Sequence, residues 1–318
     1  MRQIRTDLAL EDREFYCESH QRREPDGIET VTEEQDGVLI TRVNILNQQG
    51  EQTLGKPAGC YVTLECPELA AGNPNCAEQI SKIMARELGR LLPEKHRCVF
   101  VVGLGNWNIT PDALGPKTVS KLFVTRHLKQ YFPKNQNVTE VCTISPGVLG
   151  ITGIETGEIV KGVSDSIQPD CVIAIDALAS RKMSRVNTTI QISDTGISPG
   201  AGVGNHRFEL TEKSLGIPVI GIGVPTVVDA ATIAGDAIEL LVDAFRKQAD
   251  HKDEAEKISS FLENPYDALR SVLHKNNLIV TPKDTDYTVS EAANVLATGL
   301  NLALHPNFDY QELLQLQK

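Results

Sequence analysis

Apolar residues recur along this chain with two different periods. Short β-like runs occur at 38–43 and 61–64, and then Ile80, Ile83, Met84, Leu88 and Leu91 fall at helical spacing across 77–92. From residue 98 to about 245, apolar runs near 98–102, 141–144, 171–175, 188–192 and 217–222 alternate with helical stretches at 118–127, 155–164 and 228–246. Strands covered on both faces read as unbroken apolar runs, so this alternation predicts an α/β fold with a parallel or mixed sheet flanked by helices. The β-like runs before residue 95 are expected at its periphery. Residues 1 to about 35 are strongly charged and weakly periodic and read as an arm. The tail beyond about 250 is more charged and mainly helical, ending in a helix at 289–304. No repeat of fixed period and no low-complexity tract is present.

Two apolar runs lead into an acidic residue where a strand should stop. Val99-Phe100-Val101-Val102-Gly103 continues through a turn-rich loop to Thr110-Pro111-Asp112, and Val172-Ile173-Ala174-Ile175 runs directly into Asp176. Ligands and chemistry collect at the carboxyl ends of parallel strands. Two carboxylates about 3 Å apart cannot easily both ionise, so one keeps a proton near working pH. The ionised member can then take a proton from water that attacks a carbonyl, while the protonated member polarises that carbonyl and helps the leaving group depart. Each Asp has a plainer role open to it as a turn or helix cap.

Composition narrows the partners. The 318 residues include 42 Asp or Glu against 31 Lys or Arg, a net charge of -11. That field disfavours nucleic acid and anionic membranes as partners. The N-terminus lacks the apolar stretch of a signal peptide and no run is long enough to span a membrane, so a cytoplasmic protein is expected. The seven Cys contain no C-x-x-C and read as reduced, mostly buried small hydrophobes.

Other motifs carry less. Asp194-Thr195-Gly196 matches the Asp-Thr-Gly of pepsin-like proteases, but it occurs once, in a chain that alternates strand and helix, and it is also good turn chemistry. It is rejected as the catalytic motif, although Asp194 could still lie near the site. The glycines at 103–105 lack the third Gly of a dinucleotide fingerprint, and 199–205 lacks the Lys-Ser/Thr of a P-loop. His127 and His206 have no obvious partners, and no His–acid cluster has metal-ligand spacing.

The segments Gly103-Leu104-Gly105-Asn106-Trp107-Asn108-Ile109-Thr110-Pro111-Asp112-Ala113-Leu114-Gly115-Pro116, 146–156, 172–179, 187–196 and 223–230 together resemble the bacterial spore germination protease family. The resemblance runs from about Arg5 to His305. It implies a fold similar to the hydrogenase maturation proteases and an endopeptidase that degrades the small acid-soluble proteins coating spore DNA. The family's two catalytic Asp map onto Asp112 and Asp176, with no metal and no cofactor. The resemblance further implies a homotetrameric zymogen in the forespore or spore core. It trims itself on acidification at a site made of an acidic residue, a large apolar one and Ala.

Here Asp7-Leu8-Ala9 fits, which predicts cleavage between Asp7 and Leu8 and makes residues 1–7 a propeptide. Thr6-Asp7 would also cap a helix starting at Leu8, and both roles are compatible in the intact chain. Residues 8–318 are then expected to form one protease domain, with its core at about 95–250 and a helical part beyond. The stretch between Phe245 and Leu278 and the propeptide are shorter than in Bacillus members of the family, which implies a weaker or differently arranged zymogen restraint. Two other readings stay open: a metal-assisted hydrolase of the hydrogenase-maturation type, and a non-enzymatic binder of an anion or nucleotide.

Overall fold

The computed structural model describes residues 6–21, 23–131, 139–198, 209–248, 272–273 and 278–312. The glycine-dense stretch at 199–205, His206 and most of the 245–278 stretch lie outside the described residues.

The fully apolar runs become the central strands. These are β4 (Cys98–Gly103), β5 (Glu140–Ile144), β6 (Cys171–Ser180) and β8 (Val219–Asp229), mutually parallel in the order β5-β4-β6-β8. On the far side of β8 the sheet changes sense. There β7 (Thr189–Ser193), β3 (Gly59–Glu65), β2 (Val38–Ile45) and β1 (Ile28–Gln35) follow as an antiparallel series. A two-residue strand, β9 (Ile279–Val280), pairs with the end of β8. The early β-like runs thus extend the same sheet at its antiparallel edge.

Alternation within the strands sends side chains to two faces. One face carries Ile173, Ile175, Ile190, Ile192, Ile220 and Ile222, and it is covered by α3 (Pro74–Leu91), α4 (Leu114–Val119) and the last described long helix, α9 (Thr285–Leu304). Asn73 caps α3, accepting the Asn75 N–H at 3.1 Å, and Pro74 follows at the first helical position. The expected terminal helix is therefore part of the main core: Val289, Leu296, Leu300 and Leu304 are all buried in it. The opposite face has two smaller clusters. One centres on Phe100, Val172 and Val160 of α6 (Thr156–Ile167); the other joins β1–β3 to α1 (Ala9–Ser19) and to Leu54 of α2 (Gln48–Leu54).

Four expectations are corrected. Residues 1–35 do not form a loose arm where they are described, because α1 docks through Ala9 and Leu10, and β1 pairs along its whole length with β2. Weak periodicity hid this, since α1 is held mainly by charge. The helix expected at 118–127 is cut short at Val119. Asn301 accepts the Phe123 N–H at 3.0 Å, and Thr125 N–H donates to the Val141 carbonyl at 2.9 Å, so tertiary bonds replace the helical ladder. The run at 217–222 continues as strand to Asp229, which caps the helix α8 (Ala230–Gln248) by accepting the Ala231 N–H at 2.7 Å. Cys66, past the end of β3, and Cys76, in the first turn of α3, are paired as a disulfide, whereas all seven Cys were expected reduced.

The charge that holds α1 is concentrated at Arg185. This residue is 6% exposed and donates to Glu65 at 2.8 Å, to Glu11 at 3.3 Å and to Glu14 at 2.6 and 2.8 Å. Burial opposes ionisation of Glu14, but the hydrogen bonds from Arg185 and Lys182 outweigh it and hold that carboxyl below its usual range. Removing one partner of such a buried network leaves uncompensated charge. Arg185→Met is expected to lower the unfolding free energy by about 3–5 kcal/mol, read as a reduced midpoint in urea denaturation with an unchanged slope.

Candidate active site

Asp176 sits in β6 at the register position paired with Gly223 of β8, and Gly223 is itself paired with Gln191 of β7. Paired residues point to the same face, so Asp176, Gly223 and Gln191 form a row across three strands. The Asp176 side chain belongs to the face shared by α1 and α6, at the gap between their two clusters. Asp176 is 6% exposed, and its carboxylate accepts the N–H of Ala177 at 2.9 Å.

Asp112 ends a 3₁₀ turn, Thr110–Asp112, laid over the carboxyl ends of the parallel strands. Thr226 of β8 donates to the Pro111 carbonyl at 2.7 Å, and the Leu104 N–H donates to the Ile175 carbonyl at 2.8 Å. The Asp112 carboxylate accepts the Asn106 N–H at 2.8 Å, so it does serve its own loop. The turn is braced from outside by α9, where Asp286 accepts from Thr110 at 2.7 Å, and α4 behind it is held by Ser290, which accepts from Lys117 at 2.8 Å. Gly115 sets how closely this unit approaches the sheet. A Cβ there would collide with the Leu104 backbone and lie 2.7 Å from the Ile175 carbonyl oxygen. Asp112 thus lies on a turn beyond β4, whereas Asp176 lies inside β6, which does not stop at the acidic residue or turn into a helix there but stays paired with β8 to Ser180.

The N-terminal segment reaches the same strand. The Asp7 N–H donates to the Ala179 carbonyl at 2.9 Å, and the Asp7 carboxylate accepts the Ala179 N–H at 2.7 Å. The Asp7 carbonyl accepts from Lys56 Nζ and from Gln191 Nε2, each at 3.1 Å. Leu8 and Ala9 are fully buried, and the Ala9 N–H donates to Gln191 Oε1 at 2.8 Å. Thr6 and Asp7 do not cap α1, which begins at Ala9 with Leu8 at its N-cap and no side-chain cap bond; the Thr6 hydroxyl instead accepts the Leu8 N–H at 3.1 Å. A cavity of about 260 Å³ opens beside Asp7, lined by Lys56, Tyr61, Leu178 and Ser193 among others. Thr195 and Gly196 also border it, whereas Asp194 is exposed and locks its turn onto β3 by accepting the Cys60 N–H at 2.8 Å.

Lys56 and Gln191 went unnoticed in the sequence. A signal for Gln191 was present: in Thr189-Ile190-Gln191-Ile192-Ser193 the polar residues alternate with isoleucines, marking a polar face on a buried strand. His127 is exposed on its 3₁₀ turn and reaches none of these groups. Among the described residues no group of three or more His, Cys, Asp or Glu is placed to hold a metal ion. Among them, too, no helix is long and apolar enough to cross a membrane.

A family model described as germination protease matches residues 6–274. Proteins named germination protease are similar throughout. That of Caldanaerobacter subterraneus subsp. tengcongensis is 50% identical, with 98% of both chains covered. That of Clostridium tetani is 48% identical over 325 aligned positions, again with 98% of both chains covered. That of Bacillus pumilus is 43% identical over 351 positions, with 95% of this chain and 94% of the relative covered. Among solved structures, the [NiFe] hydrogenase maturation protease HycI from Thermococcus kodakarensis KOD1 is 19% identical, with a TM-score of 0.29, covering 44% of this chain and 80% of that one.

The chain is an endopeptidase built on a mixed α/β sheet. It belongs to the germination protease family.

Two outcomes follow from this geometry. Gly115→Ala should displace the Asp112 turn, and with Asp112 as the candidate catalytic carboxylate a shift of ~1 Å predicts a loss on the order of 100-fold in rate. Proteolytic assay beside circular dichroism should show a folded but crippled enzyme. The second concerns Asp12, whose carboxyl is pushed by burial up to about 6, against the pull of Lys56 at 3.3 Å and with added repulsion from Glu11 and Asp7. The folded chain therefore holds a proton that the unfolded chain releases between 3.8 and about 6, and stability contributed by Asp12 falls as pH rises through that window. Asp12→Asn should flatten this slope in denaturation curves taken across it.

Proposed function

We propose that this endopeptidase is a self-processing aspartic-type zymogen. It cleaves its own chain between Asp7 and Leu8, and then cleaves small acid-soluble spore proteins after an acidic residue and before a large apolar residue followed by Ala. The observation that carries the reading is the seating of residues 7–9. The Asp7 carboxylate is read by a backbone N–H of β6, Leu8 and Ala9 are wholly enclosed, and Gln191, which binds the Asp7 carbonyl and the Ala9 N–H, belongs to the cross-strand row that contains Asp176. An acidic, a large apolar and a small residue in sequence match these three positions.

In this reading Asp112 and Asp176 work as a pair. The ionised carboxylate takes a proton from water as the water oxygen bonds to the Asp7 carbonyl carbon. The protonated carboxyl gives its proton to the Leu8 nitrogen as the C–N bond breaks, leaving a carboxylate at Asp7 and an amine at Leu8. Such a pair titrates as a unit, and the assignment of base and acid belongs to the pair. The same family reading makes the enzyme a homotetramer of the forespore or spore core, acting on protein without direct contact to nucleic acid or membrane. It needs no metal and no cofactor.

The test is intact mass of the full-length chain, incubated at mildly acidic and neutral pH. Wild type should lose residues 1–7 in an acid-dependent way. Asp112→Asn and Asp176→Asn should keep their mass, their fold and their oligomeric state, and neither should cleave a small acid-soluble spore protein. Robust cleavage by either variant removes that Asp from the mechanism. Dialysis against chelator should leave the rate unchanged; a loss restored by a divalent ion would move the chemistry to a metal-assisted class.

A further inference from the structure

We propose that Lys56 and Gln191 form the site that stabilises the negative charge developing on the scissile carbonyl oxygen. This rests on the proposed cleavage at Asp7–Leu8. Lys56 Nζ and Gln191 Nε2 each lie 3.1 Å from the Asp7 carbonyl oxygen, so both of its lone pairs are engaged. One donor is a cation and the other a neutral amide, and both are sequestered: the Lys56 side chain is 17% exposed and Gln191 8%. Donors preorganised in a dry site stabilise an oxyanion far more than water does, because they need no reorientation as charge appears.

The orientation of the Gln191 amide follows from its other end. Ala9 N–H can only donate, so the atom it meets at 2.8 Å must be Oε1, which turns Nε2 towards the Asp7 carbonyl. One side chain thus grips the peptide on both sides of the bond to be cut.

The floor between this pair and Asp176 is Gly223, where a Cβ would collide with the Leu178 side chain. Gln191 and Asp176 are two strands apart, about 10 Å between their backbones, and the Asp7 carbonyl is held at the Gln191 end of that row. The consequence is a division of labour. With the carbonyl oxygen already held by Lys56 and Gln191, the protonated carboxyl of the Asp pair is left for the leaving nitrogen.

Lys56 also contacts Asp12 at 3.3 Å, and Gly55 ahead of it has a φ of 68°, a left-handed turn that returns the chain towards α1. The plainer alternative is that both residues merely anchor the N-terminal segment. Gln191→Glu separates the two roles, since it keeps an acceptor for the Ala9 N–H but loses the donor to the carbonyl.

The experiment measures release of residues 1–7 by intact mass in full-length wild type, Gln191→Glu, Gln191→Leu, Lys56→Met and Lys56→Arg, with Asp176→Asn as control. Amide hydrogen exchange at Ala9 is followed in each. Loss of one oxyanion donor typically slows a reaction by roughly 100-fold or more. Gln191→Glu and Lys56→Met should show such a loss, Gln191→Glu with Ala9 still protected, and Lys56→Arg should recover part of the rate. If Gln191→Glu and Lys56→Met trim at the wild-type rate while Asp176→Asn does not trim, the oxyanion role is overturned and the Asp mechanism stands. If Asp176→Asn trims like wild type, or wild type never releases residues 1–7, the proposed cleavage chemistry itself falls and this role with it.

Discussion

Glu11 is 1% exposed, and its two carboxylate oxygens accept the backbone N–H groups of Arg181 and Lys182 at 2.6 and 3.0 Å, with Arg185 closing the pair at 3.3 Å. A buried carboxylate is tolerable only when its charge is met by donors on every side. Those donors come from the turn that leaves β6, the strand that carries Asp176. Glu11 itself lies in the first turn of α1, four residues beyond Asp7. One electrostatic requirement therefore fixes the N-terminal segment against the strand that bears the candidate catalytic carboxylate, and the Asp7–Ala179 bonds follow from that docking.

The sheet provides the surface on which this happens. Strand β8 is parallel to β6 on one side and antiparallel to β7 on the other. Where the sense changes, the cavity beside Asp7 is lined by Gln191 and Ser193 of β7 and by Gly221 and Gly223 of β8. The C-terminal helix α9 serves both packing and position, because its apolar face fills the main core while Asp286 braces the Asp112 turn and Ser290 holds Lys117 of α4.

The central strands could be read directly from the chain because a strand covered on both faces must be apolar at consecutive positions, as β6 is from Cys171 to Ile175. Asp176 stood out for the same reason, as a charge at the end of such a run. The docking of α1 could not be read this way. Its stability comes from Arg185, Glu11, Glu14 and Glu65, residues up to 174 positions apart whose charges look like ordinary surface polarity until the fold brings them together. The end of α4 was hidden for a related reason, since Asn301, which displaces the helical bonds there, is nearly 180 residues away.

By itself the sequence determined the α/β class, the central strands, the family and two acidic candidates, because apolar periodicity and long local motifs are properties of neighbouring residues. It also marked Asp7-Leu8-Ala9 as a segment of interest. Tertiary structure alone decided that this segment lies on the sheet face of Asp176, and that Lys56 and Gln191, 135 positions apart, converge on one carbonyl oxygen. Such convergence is set by strand order and register, and neither is written in any local stretch of chain.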